Sequence, residues 1–190
     1  MTYDNLSPAV PARKLIVHPQ LHPLYDTVWA RMQERFRDGV SLWREPADYM
    51  TVVVEKPIWV EAVTFLYQEP SLQFQFLTTL CGVHYPDMNP PSMVLVIHLH
   101  SLIHNCRIRL KCFTADVKDP VFPTLTGLFS AANWMERETY DFFGFVFTGH
   151  PNLTRILNED DLTFFPMRKE YPLEDPTRED KDDKMFGRSD

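Results

Sequence analysis

The fold is decided by residues 93–113, which read Met-Val-Leu-Val-Ile-His-Leu-His-Ser-Leu-Ile-His-Asn-Cys-Arg-Ile-Arg-Leu-Lys-Cys-Phe. At its end, apolar side chains alternate with basic ones, which predicts a strand at about 106–114 with one buried and one wet face. The alternating residues are Cys106, Ile108, Leu110 and Cys112 against Arg107, Arg109 and Lys111. The preceding apolar run predicts a strand at 93–100. Because the linker 101–105 has the length of a hairpin loop, we predict that these two strands are antiparallel neighbours.

Further elements follow on both sides of this hairpin. Short β-rich segments predict strands at about 40–44, 50–54 and 76–84. Apolar residues that recur every four positions from Leu24 to Phe36 predict a helix over 23–37, closed by Gly39. We predict three more helices, from Pro57 to the residue before Pro70, at 124–130 and at 134–143. The sum is an α+β fold, a mostly antiparallel sheet with helices on one face.

The ends of the chain have a different character from this domain. Residues 1–20 are proline-rich and aperiodic, which predicts an extended arm before an α+β domain over 21–148. Residues 149–173 are rich in Leu, Phe, Pro and Tyr without any sustained period. Fully extended, such a segment spans on the order of 80 Å, so we expect an extended docking segment that lies on another protein. Residues 174–190 carry seven acidic and four basic side chains and predict a solvated acidic tail.

Composition excludes several classes of function. The chain has 19 basic and 26 acidic residues, a formal charge of -7, which disfavours nucleic acid and anionic membrane surfaces as partners. Its six glycines form no G-x-G-x-x-G turn, and its three cysteines form no C-x-x-C. The N-terminus has no signal-peptide pattern, and the longest apolar run, 93–97, is far shorter than the roughly 20 residues that cross a bilayer. We therefore expect no direct membrane insertion.

Ionisable side chains are densest over residues 133–141. A catalytic or metal-binding role for carboxylates there is possible in principle, but ordinary helix chemistry explains most of them. Asn133 as N-cap places Glu136 at the third helical position, a variant of the capping box, and Arg137 pairs with Asp141 four residues on. Glu138 falls on the apolar side of the helix and needs a cation. The candidates are Arg155, Arg168 and a residue of another chain.

Two histidines share one face of the predicted strand 93–100. His98 and His100, with His104 and Cys106 beyond them, make a metal site conceivable. No acidic fourth ligand lies nearby in sequence, and paired strand histidines more often lie at surfaces or interfaces. Nucleophilic catalysis finds no support, because no G-x-S-x-G occurs.

A specific resemblance begins at Trp134. The sequence W-M-E-R-E-T-Y-D-F-F-G-F-V-F-T-G-H-P-N-L-T-R-I-L, then F-P-M-R-K-E-Y-P-L, occupies most of residues 134–173. It closely resembles the 30 kDa-type (C-type) subunit of proton-translocating NADH:quinone oxidoreductase, respiratory complex I. The resemblance implies a subunit that has no active site, supports electron transfer from NADH to quinone and binds no cofactor of its own. The FMN, iron–sulfur clusters, NADH and quinone belong to the rest of the complex.

The resemblance also implies partners and docking residues. The C-terminal segment is expected to wrap the large quinone-site subunit (D type), near iron–sulfur subunits of the B and I types, on the cytoplasmic face of the inner membrane. The positions that match the motif and are expected to bind partners are Glu136, Arg137, Glu138, Asp141, His150, Pro151, Arg155, Arg168, Lys169 and Tyr171. We expect Arg168 and Lys169 to meet acidic groups. Two alternatives remain: the equivalent subunit of a membrane-bound hydrogenase or other-donor quinone reductase, and a free-standing metal-dependent hydrolase using His98, His100 and Glu138.

Overall fold

A computed structural model describes residues 22–43 and 49–171 of the chain. The predicted arm 1–20, the acidic tail 174–190 and residue 44 of the first predicted strand lie outside the described residues. Within the described residues there are three α-helices, α1 Leu24–Phe36, α2 Trp59–Gln68 and α3 Ala132–Phe143. The strands are β1 Val40–Leu42, β2 Met50–Val54, β3 Phe76–Tyr85, β4 Ser92–Ser101, β5 Cys106–Thr114, β6 Val121–Pro123 and β7 Val146–Thr148.

Five of these strands form one sheet in the order β1-β2-β5-β4-β3. Every neighbouring pair is antiparallel except β2 and β5, which run parallel with Val52 opposite Leu110. Strands β4 and β5 are joined by a short turn and pair from Met93 with Thr114 to Ser101 with Cys106. The predicted antiparallel hairpin and the mostly antiparallel α+β fold are therefore confirmed.

One face of the sheet carries the apolar core. Leu95, Ile97 and Leu99 on β4 are fully buried, and alternate residues of β5 join them. Helices α1 and α2 add buried side chains to the same cluster, including Met32 and Trp59. Burying large apolar side chains at about 25 cal/mol per Å² is the main force that holds these elements together.

Burial in the core also determines the protonation state of two cysteines. Cys106 and Cys112 lie on the buried face of β5. Burial raises the pKa of the Cys106 thiol to about 11 and that of Cys112 to about 12. Both are therefore protonated at neutral pH and are poor nucleophiles, since the thiolate is the reactive form.

The predicted helix at 124–130 is wrong. Residues 124–130 form turns that follow β6, and β6 pairs in parallel with β7, a pairing that was not predicted. Tertiary contacts hold the first two residues of this stretch, Thr124 through the Thr148 carbonyl beside β7 and Leu125 through the Glu136 carboxylate of α3, and a turn follows them. The Leu128 and Phe129 amides close a turn, both on the Leu125 carbonyl.

Helix α3 packs against β3, an edge strand of the sheet, and its Glu136 binds the turn that follows β6. Gly82 on β3 makes this approach possible, because a Cβ at that position would lie 2.6 Å from the Phe145 ring and 3.1 Å from Thr139. The chain leaves α3 at Gly144, whose φ of 77° is the left-handed conformation that ends many helices. Residues 149–171 follow without any helix or strand.

Candidate functional site

The candidate site is the junction between α3 and residues 149–171, here called the C-terminal segment. Two acidic side chains of α3, Glu136 and Asp141, are fully buried, which is rare for carboxylates. They do different things. Glu136 ties α3 to the loop before it, and Asp141 ties α3 to the segment after it.

Glu136 is bound by the turn that follows β6. Its two carboxylate oxygens accept hydrogen bonds from the Leu125 amide at 2.7 Å and the Thr124 hydroxyl at 2.6 Å. Burial raises the pKa of Glu136, and these two hydrogen bonds oppose that rise. The predicted capping box is wrong: α3 begins at Ala132, Asn133 lies inside it, and no side chain caps its first turn.

Asp141 holds the start of the C-terminal segment by accepting five hydrogen bonds. One oxygen accepts from the Arg155 guanidinium at 2.7 Å and from the Asn158 side-chain amide at 3.0 Å. The other accepts from three successive backbone amides, Ile156, Leu157 and Asn158, at 3.1, 2.8 and 3.0 Å. Burial alone would raise the pKa of Asp141, but these donors outweigh it and hold the pKa well below its usual range. The carboxylate is charged at neutral pH.

Arg155 completes this arrangement from the other side. Its guanidinium also donates to the carbonyls of Asp141, Leu162 and Phe164, and its side chain is only 8% exposed. The Asp141 carboxylate binds the amides at the start of the loop 156–162 and Arg155 binds the carbonyl at its end, so the loop is clamped at its base. Arg155 is thus the partner of Asp141. The predicted pair between Arg137 and Asp141 is wrong.

Arg137 binds the C-terminal segment one turn earlier on α3. It donates to the carbonyls of Thr154 and Arg155 and to the Thr154 hydroxyl, all at 3.0 Å. Its guanidinium also lies over the Trp134 ring, 5.1 Å from the centroid. Trp134 is nevertheless 63% exposed, so this contact fixes a large apolar side chain on the surface.

A second anchor lies further along the segment. The Phe165 ring lies near two guanidinium groups, with Arg155 at 5.2 Å and Arg168 at 4.9 Å from its centroid. Arg168 is 8% exposed and donates to the carbonyls of Phe143 and Lys118. Gly144 lies directly beneath, because a Cβ there would meet the Phe165 ring at 2.5 Å and Arg168 at 2.7 Å.

Two histidines make the remaining hydrogen bonds between the C-terminal segment and the rest of the chain. His150 donates from Nε2 to the Asn133 carbonyl at 3.1 Å and accepts the Asn152 amide at Nδ1, which supports the bend at Pro151. His84 on β3 accepts the Lys169 amide at Nδ1, 3.1 Å away. Burial lowers the pKa of His84, so its ring is neutral and able to accept.

The predicted docking residues therefore fall into two groups. Those used inside the chain are Glu136, Arg137, Asp141, His150, Arg155 and Arg168. Those with exposed side chains are Glu138, Pro151, Lys169 and Tyr171. Glu138 does not lie on the apolar side of α3 as predicted, since Glu136 occupies that position instead. Leu157, which is 63% exposed, and Phe165 and Gly144 were not singled out from the sequence.

His98 of β4 is engaged in the sheet, whereas Nδ1 of His100 is buried without a hydrogen-bond partner. The Arg109 guanidinium donates to His98 Nε2 at 2.9 Å, and the Thr79 hydroxyl lies 2.7 Å from its Nδ1. Both ring nitrogens are used, and burial with nearby Arg109 and Arg107 lowers the pKa of His98. Within residues 22–43 and 49–171, no three His, Cys, Asp or Glu side chains lie together in a way that could hold a metal ion. In the same part of the chain, every helix is too short or too polar to cross a lipid bilayer.

Comparison with known proteins defines the class of protein first. The family model described as "Respiratory-chain NADH dehydrogenase, 30 Kd subunit" matches residues 52–177. A solved structure titled "Nqo5 of the trypsin-resistant fragment (1-134) in P63 form" is 31% identical, with a TM-score of 0.57 over 66% of this chain and 99% of that one. The chain therefore belongs to the family of the 30 kDa subunit of respiratory-chain NADH dehydrogenase, which confirms the resemblance.

Relatives narrow this class further. The C-type subunit of NADH-quinone oxidoreductase from Mycolicibacterium gilvum is 44% identical over 126 residues, which is 66% of this chain and 55% of that protein. The protein of the same name from Cupriavidus taiwanensis is 35% identical over 153 residues, 78% of this chain and 77% of its own length. The match spans just over half of the first relative and about three quarters of the second. The junction of α3 and the C-terminal segment lies within the part that the family model covers.

Proposed function

We propose that the chain is a non-catalytic, structural subunit of the hydrophilic arm of NADH:quinone oxidoreductase. In this role it supports electron transfer from NADH to quinone coupled to proton translocation, while FMN and the iron–sulfur clusters are bound by other subunits. The observation that carries the proposal is the family match over residues 52–177, because it includes the sheet domain from within β2 onward and the whole C-terminal segment.

The proposed work of the C-terminal segment is docking. The polar side chains at the junction bind within the chain: Asp141, Arg155 and Arg168 hold the segment on α3. Large side chains are thereby left on the outside, among them Leu157 at 63%, Met167 at 45% and Tyr171 at 41% exposure. A segment whose backbone is already held loses less entropy on binding, so rigid apolar side chains favour a specific protein interface.

The proposed partners are the large quinone-site subunit (D type) and iron–sulfur subunits of the B and I types. They follow from the resemblance of residues 134–173 to the 30 kDa-type subunit. The same resemblance supports a peripheral position on the cytoplasmic face of the inner membrane, with attachment through other subunits. Lys169, Tyr171, Pro151 and Glu138 are the predicted docking residues whose side chains are accessible to these partners.

The experiment that tests the proposal is affinity purification of the tagged full chain from gently solubilised membranes of its own host. The expected result is a large assembly with NADH-dependent quinone reductase activity, in which mass spectrometry identifies the other subunits. Recovery of the chain alone would contradict the proposal. Recovery of an assembly with hydrogenase activity would keep the structural role and overturn the electron donor.

A further inference from the structure

The surface around Leu157 combines exposed apolar side chains with acidic ones. Leu157 lies in the loop 156–162, and the three residues Glu159, Asp160 and Asp161 follow it, all with exposed side chains. Trp134 and Glu138 are exposed on α3. We call the surface formed by Trp134, Glu138, Leu157 and residues 159–161 the acidic face.

These residues lie on one side of the molecule because of how the loop is held. The backbone N–H of Leu157 donates to the Asp141 carboxylate. Asp141 lies seven residues after Trp134 in α3, so the two residues are about 10 Å apart along the helix axis and nearly on the same side of the helix. Arg155 then binds the Leu162 carbonyl, so residues 159–161 cannot move far from Asp141. Trp134 is held by Arg137 at the other end. The two apolar side chains are thus fixed at a spacing set by α3.

The charge of this face is negative. It carries four exposed carboxylates, and Asp141 and Arg155 neutralise each other beneath it. Arg137 lies beside it, and its guanidinium is committed to backbone carbonyls of the segment. Arg168 donates to the carbonyls of Phe143 and Lys118, and its contact with acidic groups of a partner stays a prediction.

We infer that the acidic face docks on a basic surface of another subunit, with Leu157 and Trp134 in apolar recesses bordered by Lys or Arg side chains. This inference rests on the proposed function and names the chemistry of the partner. Electrostatic complementarity is what selects the partner, because like charges across an interface are strongly disfavoured. A second copy of this chain, with its net charge of -7, and an anionic lipid surface are both disfavoured for the same reason.

The test uses the full chain in its host, with the chromosomal copy replaced by tagged variants. The triple reversal E159K/D160K/D161K is compared with D26K/E34K/D38K, three exposed acids on and beside α1 that give the same change of net charge. The readout is the fraction of tagged chain that migrates with NADH:quinone reductase activity. We expect the triple reversal at 159–161 to lower that fraction at least tenfold and the control to stay within twofold of wild type. Unchanged thermal unfolding of both purified variants shows that folding is intact.

A second measurement keeps the inference falsifiable if the reversal disturbs folding. Benzoylphenylalanine in place of Leu157 is expected to cross-link, in assembled complex, to a Lys- or Arg-containing peptide of another subunit. Cross-linking to a second copy of the chain, to a peptide without basic residues or to nothing would overturn the inference, as would normal assembly of E159K/D160K/D161K. If wild-type chain recovers no reductase assembly, the proposed function itself has failed, and the two failures are therefore distinguishable.

Discussion

Different interactions stabilise the sheet domain and the C-terminal segment. In the sheet, alternate residues of β4 and β5 enter one apolar cluster with α1 and α2. The segment 149–171 has no helix or strand and is held by side chains that bind its backbone, chiefly those of Asp141, Arg137 and Arg155. Apolar burial is non-directional and tolerates small shifts, whereas a carboxylate with five donors fixes a few atoms in place. The difference indicates that the domain supplies stability and the segment supplies a defined surface.

Removing apolar volume from the sheet is expected to have the largest effect. Ile97 is fully buried in the centre of β4, so Ile97→Ala should destabilise the whole domain by about 2–5 kcal/mol. Urea unfolding followed by circular dichroism measures the loss. Amide exchange should accelerate in β4 and in the C-terminal segment together, because the segment cannot stay bound to an unfolded domain. Faster exchange in only one of these two regions would contradict the dependence of the segment on the folded domain.

Asp141→Asn should separate the two regions. The nitrogen of the Asn side-chain amide cannot accept a hydrogen bond, so some of the donors from Arg155 to Asn158 lose their acceptor. The buried guanidinium of Arg155 also loses its counter-ion. We expect a cost of about 3 kcal/mol, concentrated in the segment. Limited trypsin digestion should then cut after Arg155, while the sheet stays protected.

Glu136→Gln is the matched control for this variant. Gln keeps an oxygen that accepts the Leu125 amide, and burial already disfavours the charged form of Glu136. Its cost should be below about 1 kcal/mol, within the range of a single neutral hydrogen bond. Equal costs for the two variants would show that the donors of Asp141 are not what holds the segment.

Gly144→Ala should loosen the second anchor by a smaller amount. The position needs a φ of 77°, and an added Cβ would overlap Phe165 and Arg168. We expect a cost of about 1–3 kcal/mol. Gly127→Ala, where a Cβ meets nothing within 4 Å, is the control and should change the unfolding midpoint little. Identical midpoints for the two variants would contradict the described contact with Phe165.

The effect of pH should have the sign of a lowered carboxyl pKa. Asp141 binds its proton less readily when folded than when unfolded, so its contribution is fully present above the ordinary Asp pKa of about 3.9. It is lost as pH falls below that value. The stability difference between wild type and Asp141→Asn should therefore be constant from pH 7 to about 5 and shrink on further acidification. Urea titrations at fixed pH values measure it, and a difference that grows in acid would be inconsistent with a charged Asp141.

Leu157→Ala should have the smallest effect on stability. The side chain is 63% exposed, so the unfolding free energy should change by less than about 0.5 kcal/mol. Assembly should nevertheless fall if the acidic face docks on a partner. Thermal unfolding and the assembled fraction, measured on the same preparation, separate the two effects.

Sequence patterns predicted the sheet domain, because its buried residues recur with the period of a strand or a helix. The alternation from Cys106 to Cys112 predicted a strand, and the four-residue spacing from Leu24 to Phe36 predicted α1, because burial on one face imposes those periods. The contacts of Asp141 have no period, since one side chain binds successive amides of a distant segment. For the same reason the turn at 124–130 was mistaken for a helix: Thr124 and Leu125 are bound by Thr148 and Glu136, and nothing in the local sequence shows these contacts.

The retention of the C-terminal segment on the domain by Asp141 is tested most directly by amide hydrogen exchange of the full chain. We predict slow exchange at Ile156, Leu157 and Asn158 in wild type. We predict fast exchange at the same amides in Asp141→Asn, with β4 and β5 unchanged. Fast exchange at these three amides in the wild-type chain, or protection that persists in Asp141→Asn, would show that Asp141 does not hold the segment.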